Sequence, residues 1–353
     1  MLFTFQCLHH PHQLVRKKQK NPQTDRRMID MAKLKSIIGC EITANEIRAV
    51  EIAKENGAYK ILAMGYMPLE EGIVGEAFIR DAEKFTDAIT ELIAQGNFQT
   101  TDVAIGINNE NVLMRYATFP KVDSDKLRNM ILLQAQEFIP IPIQEMEIDF
   151  VVAGETADDE GTPQVNVMLI AARKQMLEGY INLFTASKLQ VQEIDSSLLA
   201  YCRGLNEISG GVRYGVVNLT DDVLNFIVVE GNEIAMVRSI TITERNQGAV
   251  TNIFRGSKDG SYTNEDVETV ANFLSSETSS TISYYSMQNL KPIEKMYFIM
   301  NSSAAEKIAP TVASNIYVPM EVPQFYPNLQ AESVTPLGEY ASCIGIAISS
   351  LEG

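Results

Sequence analysis

Residues 36–66 read SIIGCEITANEIRAVEIAKENGAYKILAMGY, and residues 214–240 read YGVVNLTDDVLNFIVVEGNEIAMVRSI. Each stretch is a set of strand-length apolar runs broken by short polar turns, which predicts a three-stranded antiparallel meander. In the first, the strands are Ser36–Cys40, Ile47–Ala53 and Tyr59–Tyr66, with a polar turn at Glu41–Glu46 and a second turn at Gly57. In the second, they are Tyr214–Leu219, Val223–Val229 and Glu233–Ile240, with turns at Thr220–Asp222 and Gly231-Asn232. Thr43 and Thr220 fall at equivalent places in the first turn of each unit, and Glu41 matches Asn218 at the same offset. Two such units, each followed by helical sequence, predict a duplicated α/β fold with two lobes and a cleft between their hairpin turns.

Outward from the first meander, Phe78, Ala82, Phe85, Ile89, Leu92 and Ile93 share one helical face. Gly96 stands where a glycine commonly ends a helix. Strands at Val103–Ile107 and Val112–Thr118 complete this first unit. From about Asp123 to Leu198 the pattern changes. Asp123 or Ser124 caps a helix running to Phe138, and the prolines of Ile139–Ile143 stop it, because proline lacks the amide proton and clashes with the preceding turn. Strands at Glu147–Ala153 and Val165–Ala172 flank a solvated acidic tip, Glu155–Gly161. A helix at Lys174–Lys188 and a strand at Val191–Ile194 complete a small α+β insert, and Ser196–Leu205 reads as a helix. After the second meander, residues 244–262 (ERNQGAVTNIFRGSKDGSY) predict a loop or lid. Helices follow at 264–275 and 278–289, then a strand at Lys295–Met300 and a closing helix at Glu339–Ser350.

Composition bounds the function. The chain has 353 residues, 45% hydrophobic and 21% charged, which suits two compact globular units. Acids outnumber bases 45 to 29, a net −16, so a polyanion such as DNA is repelled and nucleic acid is not an expected partner. The four cysteines, Cys7, Cys40, Cys202 and Cys343, are scattered, which excludes a disulfide framework or zinc ribbon and suits a reducing compartment. The longest apolar runs are of strand length, so direct membrane insertion is not expected. Residues 1–30 differ from the rest. They carry six bases against two acids, a net +4 that leaves the remainder at −20, and all three histidines. A metal reading of Cys7, His9, His10 and His12 would strain a tetrahedral shell around Pro11, and the order of basic and apolar residues is the reverse of a secretory signal. The composition predicts a disordered leader ahead of Met31. Elsewhere, Glu155, Asp158, Asp159 and Glu160 lack the calcium-loop spacing, no nucleophile elbow is present, and no histidine follows His12, which argues against triad and zinc hydrolases. No catalytic residue and no metal site are predicted.

Five stretches carry a resemblance. Ile38–Glu51 (IGCEITANEIRAVE) is similar to a first phosphate hairpin, I-G-I-D-I-G-S-S-S-I-K-A-V-E, and Val216–Asp222 (VVNLTDD) to a second, V-V-D-I-G-A-S. Glu137–Ile143 (EFIPIPI), Ser283–Gln288 (SYYSMQ) and Ala341–Ala347 (ASCIGIA) are similar to E-x-Y-I-P-F-P-L, S-L-x-F-Y-x-S-Q and A-I-G-L-A-L. In this order they resemble the type IV pilus assembly protein PilM family, which is actin-like and FtsA-like, over about Ser36 to Leu351. The resemblance implies an actin-like, ribonuclease H-like duplicated α/β fold with an inserted α+β subdomain. It divides the chain into a leader (1–32), lobe 1 (33–120, 198–212 and the terminal helix 338–353), the insert (121–197) and lobe 2 (213–337).

The same resemblance implies ATP and magnesium in the cleft. By position the nucleotide site would be Glu41, Thr43, Ala44, Asn45, Arg48, Asn218, Thr220, Asp221, Asn301, Ser302, Ser303 and Gly345. The chain departs from the family there. Both turn glycines, which let amides approach phosphates, are threonine. The magnesium acids are Glu41 and the uncharged Asn218, the glycine pair under adenosine is Asn301-Ser302-Ser303, and the hairpin lysine is Arg48. Two readings stay open: ATP held weakly, with Thr43, Asn45 and Thr220 replacing the glycine contacts, or a scaffold whose cleft takes no nucleotide. The degraded motifs favour the second and argue against ATPase or sugar-kinase activity. The partner implied is the N-terminal tail of a PilN-like inner-membrane pilus protein, which places the chain at the cytoplasmic face through that partner. Self-association is left open. Met130, Leu133, Phe138, Ile139, Pro140 and Ile141 are the candidate groove for the tail; core packing between insert and lobe 1 is the competing reading. An FtsA-type protein would carry a terminal amphipathic membrane helix after the fold, and a type II secretion relative a transmembrane helix; neither is predicted here.

Overall fold

The computed structural model describes residues 36–352 apart from 76–77, 232, 289–290, 327–328 and 330–336. The leader, and the metal reading at Cys7, His9, His10 and His12, lie outside them. Lobe 1 opens with the meander β1 (Ser36–Ile42), β2 (Glu46–Glu55) and β3 (Ala58–Pro68), followed by the short pair β4 (Val74–Gly75) and β5 (Phe78–Ile79). Helix α1 (Ala82–Gln95) leads to β6 (Asp102–Ile107). The insert holds β7 (Val112–Pro120), α2 (Ser124–Phe138), β8 (Met146–Ala157) and β9 (Pro163–Arg173). Then α3 (Lys174–Ala186), β10 (Gln190–Ser196) and α4 (Ser197–Ile208) lead to lobe 2. That lobe holds β11 (Tyr214–Leu219), β12 (Val223–Glu230), β13 (Glu233–Thr241), α5 (Glu244–Arg255), α6 (Asn264–Gln288), β14 (Lys295–Met300), α7 (Ala305–Asn315) and β15 (Met320–Glu321). Helix α8 (Ala341–Glu352) closes the described chain.

The duplication is visible in the sheets. One runs β3-β2-β1-β6-β10 and the other β13-β12-β11-β14-β15. Each is an antiparallel meander whose first strand also pairs in parallel with a strand reached through helices: β1 with β6, and β11 with β14. Parallel strands are covered on both faces, so they carry apolar runs without alternation. Accordingly β11 is buried at every position, β1 at all but Ser36, and β14 at all but Lys295.

Three segments differ from the sequence expectation. Val112–Thr118 was expected in the first lobe, but β7 pairs with β9 from Val112↔Ala172 to Pro120↔Gln164, in a separate sheet ordered β7-β9-β8. Alternation shows that a strand exists; its neighbour is chosen by tertiary packing. Residues 244–255 form helix α5 rather than a loop, with only Val250 and Ile253 buried. Ala249, Val250, Ile253 and Phe254 do repeat at helical spacing and pack on the lobe 2 core; the polar residues and glycines around this short period hide it in the sequence. The two helices expected at 264–289 are the single 25-residue α6. Its serine and threonine run is accommodated because Ser275 Oγ and Thr281 Oγ1 each donate to the carbonyl four residues back, both at 2.7 Å. At its start, Thr263 N–H donates to Asp266 Oδ2 at 2.8 Å and Asp266 N–H to Thr263 Oγ1 at 3.1 Å, a reciprocal cap. Phe78, expected on the first helix, lies in β5, and Asp123 precedes α2 without a side-chain cap bond.

Helix α8 returns to lobe 1 and packs across β1. The approach requires glycine: a Cβ on Gly39 would stand 1.9 Å from the Cys343 carbonyl oxygen. Because the clash is with backbone, side-chain rotation cannot relieve it. Gly39→Ala is therefore expected to destabilise the protein by roughly 3 kcal/mol or more, measured by chemical denaturation. Gly179→Ala on α3, whose Cβ would meet nothing within 4 Å, is expected to be neutral or to stabilise by up to about 1 kcal/mol.

Candidate functional site: the cleft between the hairpin turns

The β1–β2 and β11–β12 turns are built alike. Thr43 N–H donates to the Glu46 carbonyl at 3.0 Å, and Thr220 N–H to the Val223 carbonyl at 2.9 Å. Each threonine hydroxyl then accepts amides of its own turn. Thr43 Oγ1 takes Asn45 N–H at 3.2 Å, and Thr220 Oγ1 takes Val223 N–H at 3.1 Å and Asp222 N–H at 3.4 Å. A short hydroxyl-bearing side chain closes such a turn on itself, whereas glycine leaves the amides open to a ligand.

The turns also bond to each other. Ala44 N–H donates to Asp221 Oδ2 at 3.0 Å, and Asn45 Nδ2 donates to the same oxygen at 3.1 Å. Beside them, Glu110 N–H donates to Asp222 Oδ2 at 3.2 Å. A polar chain crosses deeper in the cleft: Ser239 Oγ donates to Asn225 Oδ1 at 2.7 Å, Asn225 Nδ2 to Asn108 Oδ1 at 2.8 Å, and Asn108 Nδ2 to Asn218 Oδ1 at 2.7 Å. Asn218 Nδ2 reaches the Ile299 carbonyl at 3.3 Å. Every buried amide here has a partner, as low dielectric demands.

Glu41 is buried below this chain. Its Oε2 accepts from Ser342 Oγ at 2.7 Å and Asn301 Nδ2 at 3.1 Å, and burial raises its pKa above the ordinary glutamate range. Arg48 is also buried, with Nε 2.6 Å from Glu46 Oε1, Nη1 donating to the Glu339 carbonyl at 2.7 Å, and the Tyr66 and Tyr340 rings each 5.7 Å away. Lys258 of lobe 2 reaches Glu339 at 2.7 Å and lies over Tyr66 at 4.7 Å, so this cluster too joins the lobes. Arg255 adds an ion pair to Glu71 at 2.9 Å. Ser303 Oγ donates to the Ser257 carbonyl at 2.8 Å, and Ser302 Oγ accepts Ala304 N–H at 3.2 Å. Gly345 lies elsewhere, in the α4–α8 crossing, where a Cβ would meet the Ala200 carbonyl at 2.9 Å.

The structure thus gathers Glu41, Thr43, Ala44, Asn45, Asn218, Thr220, Asp221 and Asn301 at the base and turns of one cleft, with Arg48 bordering it. It adds Asn108, Asn109, Glu110, Asn225, Gln247 and Ser342, which the sequence reading missed. The polar triplet Asn108-Asn109-Glu110 directly after an apolar strand was the available signal, since ligands of α/β sheets gather at the carboxyl ends of strands. A cavity of about 190 Å³ remains beside the turns, lined by residues including Thr43, Asn109, Tyr180, Asp222 and Arg255. That is below the ~300 Å³ at which ligand pockets usually begin.

These residues do not fit a magnesium nucleotide. The turn amides that would face phosphate oxygens are bonded to Thr43, Thr220 and Asp221. The first magnesium acid is tied to Ser342 and Asn301, and the second is the uncharged Asn218. No group of three or more histidine, cysteine, aspartate or glutamate side chains with metal-holding geometry occurs among the described residues.

The candidate groove residues separate. Ile139 is buried in a small cluster with Ala135, Met146 and Ile148, against which Ile141 packs. Met130 and Phe138 pack on the neighbouring cluster, with Phe138 6.0 Å from the Phe119 ring. Pro140 is exposed, and Leu133 is 84% exposed on the outer face of α2. Gln136 Nε2 donates to the Ile139 and Ile141 carbonyls at 3.2 and 3.3 Å, so α2 itself takes backbone acceptors that an added strand would need. Among the described residues no helix is long and apolar enough to cross a membrane.

Comparison with known proteins places this geometry. The fold is similar to that of a solved structure described as the PilM-PilN type IV pilus biogenesis complex, with a TM-score of 0.77 at 19% identity, covering 91% of this chain and 100% of that one. It is also similar to ethanolamine utilization protein EutJ from Carboxydothermus hydrogenoformans, with a TM-score of 0.53 at 11% identity, covering 90% of each chain. The duplicated two-lobed fold is actin-like. A family model described as type IV pilus assembly protein PilM matches residues 39–237, from β1 through the insert to β13. On that match the chain belongs to the type IV pilus assembly protein PilM family.

Proposed function

We propose that this protein is a scaffold of a type IV pilus assembly platform, held at the cytoplasmic face of the inner membrane by the N-terminal tail of a PilN-like partner. The observation that carries the reading is the family match over 39–237, which takes in both hairpin turns and the whole insert. The likeness of fold to the PilM-PilN structure over nearly the full chain supports it. Enzymatic turnover is not part of the reading. The turn amides of Ala44, Asn45, Asp222 and Val223 are bonded within the protein, which leaves them unavailable to a reacting group.

The insert carries one stretch of accessible apolar surface; Met287, Tyr284 and Tyr317 are exposed on lobe 2. Leu133 and Leu132 are exposed along α2, and Val122 is exposed just before it. α2 buries only the narrow stripe Leu127, Ile131 and Ala135 against its sheet. Leu133 therefore contributes little to the fold and is free to contact a partner.

The test is titration of the full chain with a labelled peptide copying the N-terminal tail of the PilN-like membrane protein encoded beside it. Saturable binding is expected, with Leu133→Asp weakening it by about tenfold, which is ~1.4 kcal/mol, at an unchanged melting temperature. A tail that does not bind removes the scaffold reading. A tail that binds wild type and Leu133→Asp equally moves the docking surface off α2.

A further inference from the structure

We propose that the two hairpin turns form an internal clasp, in which the Asp221 carboxyl occupies the place of a nucleotide phosphate and fixes the lobes against each other without a ligand. The inference does not depend on the pilus partner. Its basis is the set of donors that meet at Asp221. In a glycine-turned hairpin the backbone amides at the tip and a neighbouring side-chain donor converge on an anion. Here the tip amide of Ala44 and the side-chain amide of Asn45 converge on Asp221 Oδ2, a carboxyl oxygen from the opposite lobe. The arrangement is anchored from behind, since Gln247 Nε2 of α5 donates to the Asp221 carbonyl at 2.8 Å.

The neighbouring contacts act in the same sense. Asp222 is bonded by Glu110 N–H of lobe 1 and by Thr220 Oγ1 of its own turn, the latter at 2.8 Å. The Asn218–Asn108–Asn225 chain crosses beneath, and Lys258–Glu339 and Arg255–Glu71 cross at the side. A ligand phosphate entering at the turns would displace Asp221 from two donors. Once the Asp221 and Asp222 carboxyls are ionised, it would also meet their negative charge at close range, where like charges repel. The two threonine hydroxyls also hold the amides of Asn45, Asp222 and Val223 within their own turns.

The clasp has a titration signature. Burial raises the pKa of Asp221, and Asp222 beside it raises it further. Burial likewise raises Asp222, against the Thr220 hydroxyl and with Glu110 adding to the shift. The charged or titratable groups facing the pair are Glu46 of β2, Tyr180 of α3, Glu110 of the β6–β7 loop and Arg255 of α5. A carboxyl raised in the folded state favours folding fully below the ordinary aspartate range. That contribution is lost as pH climbs through the raised values toward neutrality. Asp221→Asn keeps an uncharged acceptor for Ala44 N–H and removes the Asp221 share of this pH dependence.

Hydrogen exchange resolved to single amides on the full chain tests the clasp. In the wild type the Ala44 and Glu110 amides are expected to be protected. Asp221→Ala is expected to speed exchange at Ala44 by at least about tenfold, as loss of a closed contact allows, and Asp222→Ala to do so at Glu110. Asp221→Asn is expected to retain protection at Ala44. It is also expected to lose less melting temperature than the wild type between about pH 5 and about pH 8. Mg-ATP, ADP and inorganic phosphate are each expected to leave exchange at residues 43–46 and 220–223 of the wild type unchanged. Slowed exchange there with any of the three ligands overturns the proposal, because the turns then still receive a phosphate. So does an unchanged Ala44 rate in Asp221→Ala, or parallel pH profiles for wild type and Asp221→Asn. Tail binding is read on a different surface, so its failure and the failure of the clasp are separate results.

Discussion

Two amides of one hairpin turn donating to a carboxyl oxygen of the other is the contact around which this molecule is arranged. Ala44 and Asn45 lie at the tip of lobe 1, and Asp221 lies at the tip of lobe 2. The sheets behind them have the same strand order. A duplicated fold brings equivalent turns to face each other, and an acid on one of them gives the other's donors a fixed acceptor. Behind the turns the lobes share one buried apolar core, in which Tyr214, Val216, Ile227 and Tyr297 cluster with Ile105, Leu199 and Ile344, and the cross-lobe bonds through Asn108, Asn218, Asn225 and Glu110 add polar contacts between the same lobes.

Threonine at 43 and 220 changes what the turns can do. Glycine adopts positive φ at no steric cost and leaves its neighbours' amides exposed. Threonine is stiff at χ1 and carries an acceptor on its first side-chain oxygen. Both hydroxyls bind amides of their own turn, so the local structure is complete without a ligand. Threonine at these places therefore holds amides that a glycine turn would leave open. Glu41 shows the same outcome one layer down, where Ser342 of α8 and Asn301 after β14 bind the carboxyl that the family would turn toward magnesium.

The insert solves a different problem. After α2 the backbone turns extended at Ile139, bends at Pro140 and Ile141 and enters a single 3-10 turn at Ile143, because the prolines forbid more α-helix. Extended backbone at a surface exposes carbonyls, and Gln136, one turn back on α2, takes two of them. Ile139 fills a small core with Met146 and Ile148, while Leu133 points outward. One short stretch thus holds both a packing anchor and an exposed apolar contact, separated by which side of α2 each falls on.

The sequence by itself determined the two meanders, their duplication, and the identity of the altered turn residues. Those features are local: strand-length apolar runs and turn chemistry act over a few residues. The short period of Ala249, Val250, Ile253 and Phe254 that marks α5 is hidden among polar residues and glycines, and α6 is split in the reading at a serine and threonine run whose hydroxyls bond back along the helix. Tertiary structure alone decided that β7 joins β9 rather than β6, and that Asp221 meets Ala44. Strand partners and cross-lobe hydrogen bonds depend on residues far apart in the chain meeting at hydrogen-bond distance, and no pattern within either segment encodes which distant donor will meet which acceptor.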